Sequence, residues 1–421
     1  MHYERQFSPV AHRCADRAFA ALSPVGAAWS QTAPPFAQLL NQTRDVPRVL
    51  ALEADVARAR GLALQARARP NPSINVYAEN FVGDHDRNAR NQQQTTFQVD
   101  QPVELGGKRS ARIAAGEAGI VAAKARDRDG RLVFATELAR AYAGAEIADR
   151  RITIAEEEVK QATDVLRVAR ALVGAGKEAR LRQVQAETEL NTLQADLENA
   201  RAFKTVALAR LSALAGMTTP FTGLSESLLD RLDAKPAFGP IDAMQATTVR
   251  VAEAEQDAAA RAVTVQQRLA IPNVTAQLGV RQLRVASGPA LVAGISVPLP
   301  FFDRNQGNIA AARAELQGAE ARAAAARLEA EAGTRAGLAL VEAADARAAA
   351  AQRTLTTAEE GYRLARIAYE AGKSPLIELL AARQNLGVAR GLILDAAAAR
   401  LDARANLARL QGLTITGEAV Q

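Results

Sequence analysis

The amino-acid sequence predicts a mixed fold of transmembrane β-strands and very long α-helices, laid out twice along one chain. Three observations predict it: landmark residues recur at one spacing, four segments alternate apolar and polar, and long proline-free stretches follow them. Pro298 follows Pro102 by 196 residues, and Ile309 follows Ile113 by the same 196. Ala371-Gly372-Lys373 repeats Ala175-Gly176-Lys177 at that spacing, as Leu407, Leu410 and Gly412 repeat Leu211, Leu214 and Gly216. One spacing held through four landmarks is a duplication. Pro272 follows Pro72 by 200 residues, so the first copy carries a short insertion, assigned to the polar loop 83–94.

The elements follow in order. Residues 1–30 read as a secretory signal: Arg5, Arg13 and Arg17 precede the apolar stretch AFAALSPVGAAW, and Ala28-Trp29-Ser30 fits a small-x-small cleavage site. The first repeat spans 31–220. It holds a helical segment 34–69 of about 54 Å, a strand hairpin at about 72–103 and a helical hairpin at about 104–216 with its tip at 173–178. A linker occupies 221–240. The second repeat, 241–412, holds a helix, a hairpin at about 272–300 and a helical hairpin at about 304–412 with its tip at 370–376. A tail, 413–421, ends the chain. Each descending helix runs roughly 100 Å at 1.5 Å per residue.

The strands rest on period-two alternation. Ile74, Val76 and Ala78 oppose Ser73, Asn75, Tyr77 and Glu79, and Phe97 and Val99 oppose Gln98 and Asp100. Val274, Ala276, Leu278 and Val280 alternate with Thr275, Gln277 and Arg281, and Leu291, Ala293, Ile295 and Val297 repeat the pattern after a Ser287-Gly288-Pro289 turn. Strands of about 9 to 11 residues suit a membrane span, although soluble hairpins alternate too. Four strands cannot close a barrel, and lipid tolerates no open sheet edge, so the strands must be pooled between copies; three copies would give twelve.

Composition excludes several functions. The chain is 48% apolar but only 4% aromatic, because alanine dominates, which favours closely packed long helices over a bulky core. The net charge of +6 comes from Arg and Glu interspersed along helices, which reads as solvated faces and not as a nucleic-acid surface. The histidines His2, His12 and His85 are scattered, and Cys14 is the single cysteine, so no His/Cys metal site, disulfide framework or nucleophile–base pair stands out. Cys14 also lacks the run expected before a lipidated cysteine. No enzyme activity and no cofactor are expected.

Two strand pairs, each followed by a helical hairpin of about 100 Å, resemble the TolC-like outer membrane factors. The stretches ARPNPSINVYAEN, QPVELGGKRSARIAAGEA and VPLPFFDRNQGNIAAARAEL are similar to the outer membrane components of cobalt-zinc-cadmium-type heavy-metal efflux systems. The resemblance implies a homotrimer in the outer membrane of a Gram-negative bacterium, with a twelve-stranded β-barrel in lipid above an α-helical barrel in the periplasm. It implies a passive exit duct, served by a periplasmic adaptor and an inner-membrane pump of the resistance-nodulation-division (RND) class. The cargo could instead be drugs or secreted polypeptides. A soluble periplasmic coiled-coil adaptor would explain the helices but not the alternating strands.

The resemblance also places functional residues. The tip turns, with Gly174, Gly176, Lys177, Gly372, Lys373 and Ser374, would meet the adaptor. Gly174, Gly176 and Gly372 read equally as helix-ending glycines at positive φ. Lys177 and Lys373 suit helix C-termini, and Ser374-Pro375 reads as an N-cap followed by an N1 proline. Glu378 matches the first acidic residue ringing the periplasmic entrance, or sits on a solvated face. Ala381 and Ala382 stand where a second acid is expected. Arg182 is the equivalent of Glu378 in the first repeat, and the two are candidates for a pair that holds the tip shut. Tyr77, Phe81, Phe97, Phe301 and Phe302 make a thin aromatic girdle. Finally, the Gly-Gly-Lys of QPVELGGKRSARIAA lacks the spacing of a phosphate loop. Pro102, Gly106 and Gly107, with Pro298 and Pro300 in the second repeat, read as the joint from barrel to helix, and Lys108 and Arg109 as residues at the inner edge of the membrane.

Overall fold

The computed structural model describes residues 31–80, 93–231, 241–284 and 288–418. The signal segment with His2, His12 and Cys14, the loop 81–92 with Phe81 and His85, linker residues 232–240, Ser287 and the last three residues lie outside the described residues. The chain runs α1 (Phe36–Gln42), α2 (Pro47–Ala66), β1 (Ser73–Glu79), β2 (Gln94–Val103), α3 (Lys108–Gly174), α4 (Arg180–Leu214) and α5 (Leu228–Arg231). The second half runs α6 (Thr247–Leu269), β3 (Val274–Leu283), β4 (Ala290–Ser296), α7 (Gln306–Glu370) and α8 (Leu376–Leu410). Helices α3 and α7 hold 67 and 65 residues, each about 100 Å long. Among the described residues no helix is long and apolar enough to cross a membrane.

The four strands form one antiparallel sheet in the order β1-β2-β3-β4. The two hairpins therefore join across the repeats: Val103 pairs with Val274, Val99 with Leu278 and Phe97 with Val280. The register puts Ile74, Val76, Phe97, Val99, Leu278, Val280, Leu291 and Ile295 on one face, and all are exposed. The opposite face is polar. There the Asn75 amide donates to Asp100 at 2.8 Å, and Arg281 Nε donates to the Thr96 hydroxyl at 3.1 Å. A sheet with its apolar face outward and its polar face paired inward is the pattern of a barrel wall in lipid. Strands β1 and β4 hold 7 residues each, fewer than the expected 9 to 11. Asn80, at φ 58, ends β1, and Pro298 and Pro300, which lack N–H donors, stop β4 short of Val297.

Below the sheet, α3 packs against α2 and α6 in its upper half and against α4 in its lower half, while α7 packs against α6 and then α8. The helical segment 34–69 is broken, not continuous. Val46, before Pro47, is held extended at ψ 150, and the proline starts a new helix. One core lies at mid-height, where Phe36, Leu39 and Val49 meet Phe134, Leu138, Tyr142, Leu211 and Leu401. A second lies near the tips, where Val165 and Leu166 of α3 meet Tyr362 and Tyr369 of α7 and Leu379 and Leu386 of α8. The duplication extends to backbone conformation. Gly176 and Gly372 have φ of 69° and 68°, and Gly216 and Gly412 both 73°.

Candidate functional site

Two regions gather the residues that the sequence singles out: the joint between sheet and helices, and the tips. At the joint, Pro102 lies inside β2 opposite Thr275, so the chain turns after it, not at it. The turn is made by Gly106 and Gly107, at φ 70° and 73°, and Gly107 is the N-cap of α3. In the second repeat, Pro298 and Pro300 lie in the connection between β4 and α7, and the left-handed residue is Asn305 at φ 60°. It stands two residues past Asp303, the position that the spacing assigns to it. Asparagine tolerates this conformation because its short amide finds local partners; here it donates to the Gln266 carbonyl at 2.8 Å.

The basic residues after the glycines do different jobs. Lys108 is buried in the joint: it is 5% exposed, donates to Asn273 of the other repeat, and burial pushes its pKa down. Arg109 Nε donates to the Arg67 carbonyl at 2.9 Å, and Arg112 donates to the Ala68 carbonyl at 3.1 Å. Both satisfy carbonyls left over at the C-terminal end of α2. Arg112 also grips Glu104, whose carboxyl the guanidinium holds below the usual carboxylate range.

At the first tip, Gly176 N donates to the Val173 carbonyl at 3.0 Å and Lys177 N to the Leu172 carbonyl at 2.9 Å. At the second, Gly372 N donates to Tyr369 O at 2.9 Å and Lys373 N to Ala368 O at 2.8 Å. These paired bonds close each helix with a glycine in the left-handed region. Gly174 does not share that role, because it is the last residue of α3 and its φ is not positive. Pro375, at ψ 153, is itself the N-cap of α8, so Ser374 lies one residue outside the helix and does not cap it. Its hydroxyl donates instead to Glu378 at 2.5 Å. In the first repeat the same two positions are Glu178 and Arg182, an ion pair at 3.9 Å. Within the protomer Arg182 and Glu378 are thus each engaged inside their own turn, and no ion pair joins them among the described residues.

Three charged groups escape sequence reading. Arg383 of α8 is buried against Glu189 of α4, and its Nε has no partner. Nearby, Glu158 of α3 lies so close to Gly387 that a Cβ there would meet its carboxylate at 2.4 Å. Burial raises the Glu158 pKa against the pull of Arg383 and Arg390, with Asp196 and Glu157 adding to the rise. A raised carboxylate favours the folded state most below its unfolded value of 4.5, and that contribution is lost as pH rises through the folded value. Acidifying from neutral toward 4.5 should therefore stabilise the wild-type helices relative to Glu158→Gln. The two proteins' melting temperatures, compared across that range, check it; parallel curves would refute it. The third, Glu146 of α3, holds the segment from Ser227 into α5, here called the waist, by accepting from Ser227, Leu228 and Leu229. Neither glutamate has a sequence signal, because most of its partners lie far away in the chain. Among the described residues no cluster of three or more His, Cys, Asp or Glu could hold a metal ion.

The family described as outer membrane efflux protein matches residues 39–217 and 244–413, the two repeats in turn. This chain belongs to that family. As an outer membrane efflux protein it is 42% identical over 394 residues to the nickel-cobalt-cadmium resistance protein NccC of Alcaligenes xylosoxydans xylosoxydans, covering 93% of this chain and 89% of that one. It is 41% identical over 325 residues to the nickel and cobalt resistance protein CnrC of Cupriavidus metallidurans, covering 77% of each. Its fold matches the crystal structure of CusC, described as forming a transmembrane channel, with a TM-score of 0.79 at 18% identity over 90% of this chain and 92% of that one. Efflux proteins of this family are channels of the outer membrane of Gram-negative bacteria.

Proposed function

We propose that three copies of this chain form the exit duct of a tripartite RND-type efflux system that carries divalent heavy-metal cations out of the cell. The sheet carries the proposal: its outer face is apolar and exposed, its inner face is polar, and its two edge strands, β1 and β4, match at 7 residues each. Joining β4 of one copy to β1 of the next would close twelve strands and leave no edge in lipid. The same assembly would gather the helices into a periplasmic barrel, with its tips toward an adaptor and an inner-membrane pump. The tip turns Gly176-Lys177 and Gly372-Lys373 would contact the adaptor, and Glu378 would stand at the entrance, where repeated carboxylates attract cations.

The cargo follows from the relatives, whose names record nickel, cobalt and cadmium resistance. A duct needs weak binding for release, so metal choice would rest with the pump. Deleting the gene should lower tolerance to Co, Zn, Cd or Ni in graded growth assays. Unchanged growth on all four would remove the metal assignment and leave the channel.

A further inference from the structure

The sequence carries a net charge of +6, and the structure shows where part of it collects. Helices α2 and α6 end, and α3 and α7 begin, within about ten residues of the sheet, and Arg109 reaching Arg67 and Asn305 reaching Gln266 put their ends at one level. At that level Arg67, Arg69, Arg109, Arg268 and Arg304 are all exposed. Three carboxylates lie among them. Glu117 binds Arg67 at 3.0 Å, Glu104 binds Arg112, and Asp303 accepts from the Asn305 backbone at 2.8 Å. Among the described residues Arg69, Arg109, Arg268 and Arg304 form no ion pair.

Just above this ring the surface changes character. Phe301 and Phe302 are 70% and 94% exposed, and Leu299 is 67% exposed. They follow the end of β4, whose apolar face holds Leu291 and Ile295, both 76% exposed. From sheet to helices the outer surface therefore runs aliphatic, then aromatic, then cationic. That order matches hydrocarbon, interface and headgroup.

We propose that this arginine collar binds anionic phospholipid headgroups in the leaflet from which the helices emerge. The inference rests on the channel reading above. Continuity with the apolar sheet face selects a lipid surface over any soluble polyanion. Arg109 and Arg304 lend only Nε to carbonyls, at Arg67 and Pro300, which leaves the rest of each guanidinium for phosphate oxygens. Trimeric assembly would repeat the four unpaired arginines around the barrel, and unpaired cations at a membrane surface act additively. Phe301 and Phe302 would fix the depth at which the collar sits.

The test uses the purified full chain reconstituted into phosphatidylcholine vesicles, with and without phosphatidylglycerol. Spin-labelled lipids of both classes report the fraction held at the protein boundary, and conductance reports the channel. Wild type should hold phosphatidylglycerol on the order of fivefold over phosphatidylcholine, and added salt should reduce the preference. The combined variant R69Q/R109Q/R268Q/R304Q should approach parity while still conducting. The matching four-lysine variant should keep the preference, which separates charge from any structural role of the arginines. Parity in conducting wild-type channels would overturn the collar and leave the duct intact. A preference that survives in the glutamine variant would overturn it also, as would displacement of the lipid by soluble glycerol phosphate. Failure of wild type to insert or conduct in either vesicle would sink the channel reading and the collar with it.

Discussion

Glu146→Ala should loosen the waist of the protomer at a cost of about 3–5 kcal/mol. Glu146 is 6% exposed and sits on α3, one turn below Tyr142. One carboxylate oxygen accepts from the backbone N–H groups of Leu228 and Leu229 at 2.9 and 3.1 Å, and the other from the Ser227 hydroxyl and Arg150 at 2.5 and 2.6 Å. Truncation would leave two buried N–H groups without acceptors, each costing about 1–3 kcal/mol, and would free Arg150 from one of its two anions. What remains there is Tyr142, which donates to the Glu226 carbonyl at 2.9 Å and packs edge-on against Phe36 at 6.0 Å. The segment through α5 would then open without the whole helix unfolding. Trypsin should cut after Arg231 many times faster than in wild type, and the melting temperature should fall. Glu146→Gln keeps an acceptor oxygen and should cost less, about 1–2 kcal/mol. Unchanged cleavage in the alanine variant would mean that the waist is held by its apolar contacts alone.

The contrast between Glu146 and the tip glycines shows what a sequence can disclose here. Gly176 and Gly372 were legible because helix ends are local: a left-handed residue closing a helix depends on the few carbonyls before it. Even so, Gly174 and Gly176 could not be told apart, since the difference is where the last helical bond falls. The strands were legible through alternation, and so was the face each residue takes. The pairing of β2 with β3 was not, because it joins residues of different repeats. The burial of Lys108 was hidden for a related reason. The sequence offers no sign that this lysine is buried, because its partner, Asn273, comes from the other repeat. Asn305 shows how far duplication constrains geometry: the joint is kept, while the residue that makes the left-handed turn has moved along the chain. Local backbone needs and period-two or helical patterning are written in neighbouring residues. Buried charges such as Glu146, Glu158 and Arg383 are specified mainly by residues far away in the chain.

At the joint itself, Gly106→Ala should cost about 2–4 kcal/mol, and Gly107→Ala only about 1 kcal/mol. Both glycines lie at positive φ, so any side chain pays the left-handed penalty at either site. They differ in what surrounds them. A Cβ at Gly107 would meet the Ser110 hydroxyl at 3.3 Å, a contact that a rotamer change relieves. A Cβ at Gly106 would meet Ile271 Cδ1 at 2.3 Å and its Cβ and Cγ2 at 3.1 Å. Turning the isoleucine can move Cδ1 and Cγ2, but its Cβ, at 3.1 Å, stays in place, and the β-branched side chain has few χ1 rotamers to turn to. Ile271 lies on the short link from α6 to β3, so the clash would push apart two of the connections that mount the sheet on its helices. The effect should appear as a lower melting temperature and a lower yield of the inserted channel. A double-mutant cycle isolates its steric part. In an Ile271→Ala background, Gly106→Ala should cost little more than Gly107→Ala does in wild type, because only the backbone penalty remains. Equal costs for Gly106→Ala in both backgrounds would show that Ile271 does not constrain the turn, and that the glycine is required for its φ alone.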